Sequence, residues 1–384
     1  MKAIKTSDLK PGMKFDKPVY VDGVNLLVPE MIEIKEKDIK RLEKWNISEV
    51  ATEGKLIRDL PVEGKTSFFQ QAFNTPEQQQ VLEAYTRISK AFQAATDVIK
   101  DGSAPSVDAV DGIIDELLDL LRKLRNDVVQ FILYGMQGES GFAENGLNSA
   151  VLSILVGTNI NFPQHKLIQL ATGALLHDVG MLRLPAEVLS KQGSLTPEEL
   201  KTVKTHPIHA YKIITRELRY PEEIGMMVLQ HHERWDGKGY PKGLSGKSIV
   251  LPARIIAVVD AFEAMVSKRP YRSSMIGYTA MRTILGDNGR RFDPEVLKIF
   301  IRTMGIYPVG SIVLLNDGSV GRVVATNPQA TMRPKVKVMI DKAGHEFERD
   351  EGKVIDLLAD KNTFIAKAVD PKDLAGKNGN SKEE

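Results

Sequence analysis

The sequence predicts a mostly α-helical protein, a helical bundle set between a small N-terminal α/β module and a small C-terminal antiparallel β lobe. Two observations carry this expectation. Between about residues 75 and 304, apolar residues recur at helical spacing behind recognisable helix caps. Residues 1–52 and 305–370 instead alternate short β-like runs with Pro-Gly, Asp-Gly and Ala-Gly breaks. At 384 residues the chain is long enough for two or three domains.

Composition narrows the function classes. A hydrophobic share of 42% and a charged share of 27% are those of a globular protein. A net charge of +2 offers no electrostatic surface for nucleic acid or membrane. With no cysteine, disulfides and thiolate metal sites are excluded, and a reducing compartment fits. The first residues lack the apolar core of a signal peptide, and no apolar run approaches the ~20 residues of a membrane span, so a cytoplasmic protein without membrane insertion is expected.

Taken in order, residues 17–21 and 25–28 flank Asp22-Gly23 as a hairpin, a charged helix follows over about 35–45, and a strand lies near Val50. This module (1–60) reads as a regulatory or interaction unit. After a linker, Thr75-Pro76 starts a helix with Val81, Tyr85, Ile88, Phe92, Ala95 and Ile99 on one stripe. A second helix repeats the rhythm at Val110, Ile114, Leu117, Leu121, Leu124, Val128 and Phe131. This hairpin (75–134) fits either a layer of the bundle or a homodimer seam. Residues 135–304 continue as helices, with caps at Thr196-Pro197 and Asp293-Pro294. The β-rich lobe spans 305–370, and the polar tail 371–384 reads as disordered.

Chemistry concentrates in the bundle. Of seven histidines, five fall between residues 177 and 232. His177, Asp178, His206, His231, His232 and Asp260 stand one or two predicted helices apart, so a bundle can gather them in one cavity. Imidazole and carboxylate without sulfur suit Fe, Mn, Zn or Ni. Six such groups exceed the needs of one tetrahedral ion, and two ions sharing a carboxylate are a standard device for phosphoester hydrolysis. His165 and His345 read as structural, and His209 as a helix-face neighbour of His206.

The run His231-His232-Glu233-Arg234-Trp235-Asp236-Gly237-Lys238-Gly239-Tyr240-Pro241, with Leu175-Leu-His-Asp-Val-Gly180, His206-Pro207, Asp260-Ala-Phe-Glu-Ala-Met265 and Arg269-Pro-Tyr-Arg272, resembles the HD-GYP branch of the HD phosphohydrolase superfamily. The resemblance covers about residues 135–304 and implies an HD-type helical bundle that hydrolyses cyclic di-GMP in bacterial second-messenger signalling. It implies two divalent transition metal ions, Fe or Mn before Ni or Zn, with Asp178 as the catalytic, bridging carboxylate. His177 and Asp260 would serve the first ion, and His206, His231 and His232 the second. Tyr240, Arg269 and Arg272 resemble substrate-binding positions, and the loop ending in Pro241 a recognition loop open to a protein partner.

The pattern breaks twice. Asn145 stands where the family places its first histidine, leaving the first site short unless Glu144 or Asn145 supplies an oxygen. Met181 replaces a lysine that would contact phosphate, and only Lys191 or Arg183 offers a nearby substitute. These departures carry the alternative expectation, a degenerate member that binds cyclic di-GMP or a protein without turnover.

Overall fold

The computed structural model describes residues 2–370 apart from 11–12, 16, 22–24, 30–33, 46, 55, 58–74, 136–140, 190, 192, 268–274 and 348–350. The expected tail 371–384, most of the linker and the Arg269-Pro-Tyr-Arg272 segment therefore lie outside the described residues.

The N-terminal module is a four-stranded antiparallel sheet, in the order β1 (Lys2–Lys5), β5 (Glu49–Thr52), β3 (Val19–Tyr20), β4 (Leu26–Val28), with the helix α1 (Glu36–Lys44) before β5. The expected hairpin is the pair β3–β4. A separate two-stranded pair joins β2 (Lys14–Phe15) to β6 (Leu56–Ile57). Leu9, Phe15, Val19, Val28, Ile34, Leu42 and Val50 form this module's own apolar core.

The central helices are α2 (Pro76–Lys100), α3 (Val107–Gln130), α4 (Phe142–Asn159), α5 (Gln164–Leu175), the one-turn α6 (Ala186–Leu189), α7 (Pro197–Val203), α8 (His206–Lys212), α9 (Glu222–Leu229), α10 (Leu251–Val266), α11 (Gly277–Gly286) and α12 (Pro294–Met304). Their starts follow local chemistry. Thr75 accepts from Gln78 N at 3.0 Å with Pro76 in the first turn. Thr196 and Glu199 close a reciprocal capping box. Asp293 accepts from Glu295 N at 2.8 Å.

The heptad stripes resolve the alternative left open by the sequence. Val81, Tyr85, Ile88, Phe92 and Ile99 of α2 and Val110, Ile114, Leu117, Leu121 and Val128 of α3 are buried in a single core that runs on to Met304. They are therefore spent inside the chain, and a homodimer has to use other residues. Phe92 is fully buried, and α4 approaches it so closely that a Cβ on Gly146 would come within 2.7 Å of its ring.

The C-terminal lobe is a five-stranded antiparallel sheet in the order β10 (Val354–Asp356), β9 (Lys335–Ile340), β8 (Val320–Ala325), β7 (Ile312–Leu315), β11 (Ile365–Val369). Tyr134, which follows α3, bonds Ser311 at 2.9 Å, and Tyr278 of α11 stacks on Tyr307 at 4.8 Å. No helix among the described residues is long and apolar enough to cross a membrane.

Because α2 contributes to the same core as the metal-site helices, Phe92→Ala should cost about 3–5 kcal/mol, and chemical denaturation should still report one transition spanning α2 to α12. Two separated transitions would show that α2 and α3 fold apart from the rest.

Candidate metal centre

Three of the expected ligands reach the site by one local rule. His177, His206 and His231 each follow the end of a helix, α5, α7 and α9 respectively, whose last carbonyls lack intrahelical partners. Each ring places Nδ1 against the carbonyl three residues back, Ala174 at 2.7 Å, Val203 at 2.8 Å and Val228 at 2.6 Å. A carbonyl has no proton to give, so Nδ1 carries the hydrogen and Nε2 is the nitrogen that faces the site, with a bare lone pair on each ring that is neutral. The sequence expectation set these groups among predicted helices, with His177 closing one of them. His177 and His231 stand just past helix ends, and His206 at the first residue of α8.

The Nε2 atoms converge on Asp178. Its Oδ1 lies 3.1 Å from His206 Nε2 and 3.7 Å from His231 Nε2. Its Oδ2 lies 3.5 Å from His177 Nε2, which is 3.7 Å from Asp260 Oδ1. One carboxylate thus faces two donor sets. Donor atoms of Asp178, His206, His231 and His232 all lie within 4.8 Å of one another. His206 and His231 bring their Nε2 atoms to 3.5 Å of each other, an approach that suits a shared cation. The donor chemistry therefore fits divalent transition ions. The three histidines are buried, while Asp178 keeps 37% of its side chain exposed, so the shared carboxylate is also the group open to an incoming ligand.

Two close approaches make this convergence possible. A Cβ on Gly180 would sit 2.0 Å from His206 O, so only glycine lets the turn after Asp178 (179–183) lie against the start of α8. A Cβ on Gly239 would sit 2.4 Å from Arg234 N, which folds the 234–241 loop tightly back on the ligand-bearing turn. The loop is pinned by Glu233, a residue the sequence reading passed over. Buried, it accepts from Lys242 N at 2.7 Å and Leu244 N at 2.9 Å. Tyr240 is thereby laid over the histidines, 4.8 Å from the His232 ring and 6.4 Å from that of His206.

Asp260 is aimed by α10. Three residues on, Glu263 turns into the core, where Asn148 Nδ2 donates to it at 3.0 Å and Ser267 Oγ also donates. The Tyr85 hydroxyl of α2 donates to Asn148 Oδ1.

The remaining expectations sort plainly. His177, Asp178, His206, His231, His232 and Asp260 come together. Arg269 and Arg272 lie outside the described residues. His165 is exposed, His345 sits in the β lobe, and His209 lies on α8 outside the cluster. Glu144 is engaged with Ser89 and Gly141 N and is not available as an ion ligand, whereas Asn145 Oδ1 is buried without a partner. Neither substitute for the missing lysine is free, since Lys191 pairs with Glu199 at 2.6 Å and Arg183 with Glu217 at 2.7 Å.

The electrostatics follow from two carboxylates among imidazoles. Burial opposes charge on His177, but Asp178 and Asp260 outweigh it and raise the imidazole to about 9. Burial would raise Asp260, and the hydrogen bond from His177 outweighs it, holding the carboxyl at about 2. Asp178 is likewise held well below the usual range by its histidine neighbours, against the effect of burial. Burial drives His231 and His232 down, so they stay neutral and ligand-competent.

These directions give a pH prediction. The raised His177 contributes stability to the ion-free protein that is complete below its ordinary ~6.5 and is lost as pH rises through about 9. The depressed Asp260 contributes stability above its ordinary ~3.9 that is lost only as pH falls toward about 2. A metal ion bound at His177 would displace its proton. The ion-free Tm should therefore fall from pH 6.5 to 9, while the Tm gain from saturating Mn2+ grows over the same window. A metal-induced gain that shrinks with rising pH would contradict this charge assignment.

Comparison with known proteins agrees with the geometry. Residues 141–296 match the family model described as an HD domain, and residues 312–377 match that of a KOW domain associated with HD domains. A cyclic di-GMP phosphodiesterase of Borreliella burgdorferi is 25% identical over 92% of this chain and 92% of its own length. One of Pseudomonas aeruginosa is 28% identical over 85% of this chain and 80% of its own. One of Thermotoga maritima is 41% identical over 34% of this chain and 35% of its own.

Proposed function

We propose, from the match of residues 141–296 to the HD domain and from the geometry of the centre, that this chain hydrolyses cyclic di-GMP with the help of two divalent metal ions. The observation that carries the reading is the division of Asp178, one oxygen facing His177 and the other facing His206 and His231. Two cations held close by a shared ligand are a standard device for phosphoester hydrolysis, and this arrangement suits them.

In this reading His177, Asp178 and Asp260 hold the first ion, and Asp178, His206, His231 and His232 the second, with Fe or Mn preferred by the mixed nitrogen and oxygen donors. Asn145 adds its unpartnered Oδ1 to the first set. Bound ions would activate water and neutralise charge that develops on phosphorus. The protein's own groups do the rest. Nδ1–H contacts to helix-end carbonyls keep the imidazoles aimed. Burial and the nearby Asp178 and Asp260 carboxylates push the Tyr240 phenol up, so it stays protonated and can donate to a phosphate oxygen at the mouth of the site. Arg269 and Arg272 supply guanidinium contacts to the dinucleotide phosphates. The absence of cysteine fits a cytoplasmic setting, and a homodimer, or a protein partner at the 234–241 loop, would add regulation.

Mn- or Fe-loaded protein should convert cyclic di-GMP to pGpG or GMP in a chromatographic assay, and His206→Ala should lower kcat/KM by about 100-fold or more. Binding of the dinucleotide without product under Fe, Mn and Ni would leave only the non-hydrolytic alternative. Asn145 is tested apart from turnover. Equilibrium dialysis with elemental analysis should find the first ion weakened in Asn145→Leu and strengthened in Asn145→His, and unchanged metal content in both variants would remove Asn145 from the ligand set.

A further inference from the structure

A cyclic dinucleotide carries two phosphodiesters, and the metal centre can engage only the one being cut. The second keeps a full negative charge that some group near the mouth must meet. Within the HD sequence pattern a lysine after His177-Asp178 would be available, but here that position is Met181. Among the described residues, Arg183 and Lys191 are already paired with Glu217 and Glu199, and Arg269 and Arg272 fall outside them.

Lys204 is placed differently. It caps the C-terminal end of α7, two residues before His206, and is exposed. Its Nζ lies 5.5 Å from the centroid of the Tyr240 ring. Tyr240 in turn lies 4.8 Å from the His232 ring and 6.4 Å from the His206 ring, so metal ligands, phenol and ammonium form one continuous wall. Among the described residues Lys204 makes no ion pair. Its charge rests against the face of Tyr240, a contact worth little at an exposed site. An ammonium with three donors and no anion, held beside the site at the end of a built helix, is matched to a phosphate.

We propose that Lys204 is a substrate-binding residue of this centre that takes the phosphate of a cyclic dinucleotide not undergoing cleavage, a role the Met181 position has given up. The assignment rests on the reading of the site as a cyclic dinucleotide phosphodiesterase. In that role the Tyr240 ring keeps the exposed ammonium beside the histidines of the centre.

The test compares two substrates that differ in the second phosphate. Mn-loaded wild type, Lys204→Met and Lys204→Arg are assayed on cyclic di-GMP and on bis(p-nitrophenyl) phosphate, which has one phosphodiester. Equilibrium dialysis with labelled cyclic di-GMP gives Kd independently of turnover. Methionine keeps a stem against Tyr240 and removes the charge. It should raise KM and Kd for cyclic di-GMP about tenfold, with less than a twofold rise in KM for bis(p-nitrophenyl) phosphate, and arginine should restore most of the loss. An equal effect on both substrates would mark Lys204 as a prop for Tyr240 and overturn the proposal. So would a Kd within twofold of wild type. A wild type that cleaves bis(p-nitrophenyl) phosphate but neither binds nor cleaves cyclic di-GMP would remove the substrate reading itself, and the Lys204 role with it.

Discussion

A histidine with one nitrogen given to a backbone carbonyl has its other nitrogen committed to whatever lies opposite. This constraint, repeated at His177, His206 and His231, underlies the rest of the site. Helix ends leave carbonyls unpaired, and burying them bare would cost free energy. Satisfying them with imidazole settles the ends and orients the ligands in a single contact. The surrounding arrangement follows: the turn held by Gly180 against α8, the return loop pinned by Glu233, and the bundle core that fixes α5, α8 and α9 relative to one another.

The charges in this cavity balance only as a set. Asp178 and Asp260 sit among rings that would otherwise be neutral, and the imidazole driven toward protonation is His177, which faces both carboxylates. Removing one acid would change the charge state of the histidines as well as the number of ligands. Substitutions here are therefore expected to be non-additive. The same logic bears on Asn145, whose side chain could offer an oxygen to the first donor set without changing its charge balance.

Much of this was legible in the sequence. The caps at Thr75, Thr196 and Asp293 act within three residues of themselves, and the stripes of α2 and α3 declare a buried face by spacing alone. The six ligands were legible by residue type and order. What escaped depends on distance in sequence. The pairing of β11 with β7 joins residues about fifty apart through register, and β10 is a short edge strand of three residues, so neither shows a clear alternating pattern. Whether a stripe faces its own chain or a second copy is decided by packing, which spacing does not encode. Glu233 and Lys204 look like ordinary surface charges until the loop folds back over them. A signal for Glu233 did exist, since an acid beside two ligand histidines and a glycine-rich turn has unpaired loop amides within reach.

Helix α10 carries two acids whose partners face different ways, Asp260 toward His177 and Glu263 toward Asn148 and Ser267 in the core. The pair works as a detent. Rolling the helix enough to swing Asp260 off the centre would pull Glu263 from its donors and strand a buried carboxylate, at a cost of several kcal/mol. The aim of one metal ligand is thus guarded by a residue that never meets metal. Shape-preserving changes deep in the core, Glu263→Gln or Asn148→Leu, should loosen the centre while leaving every ligand in the chain.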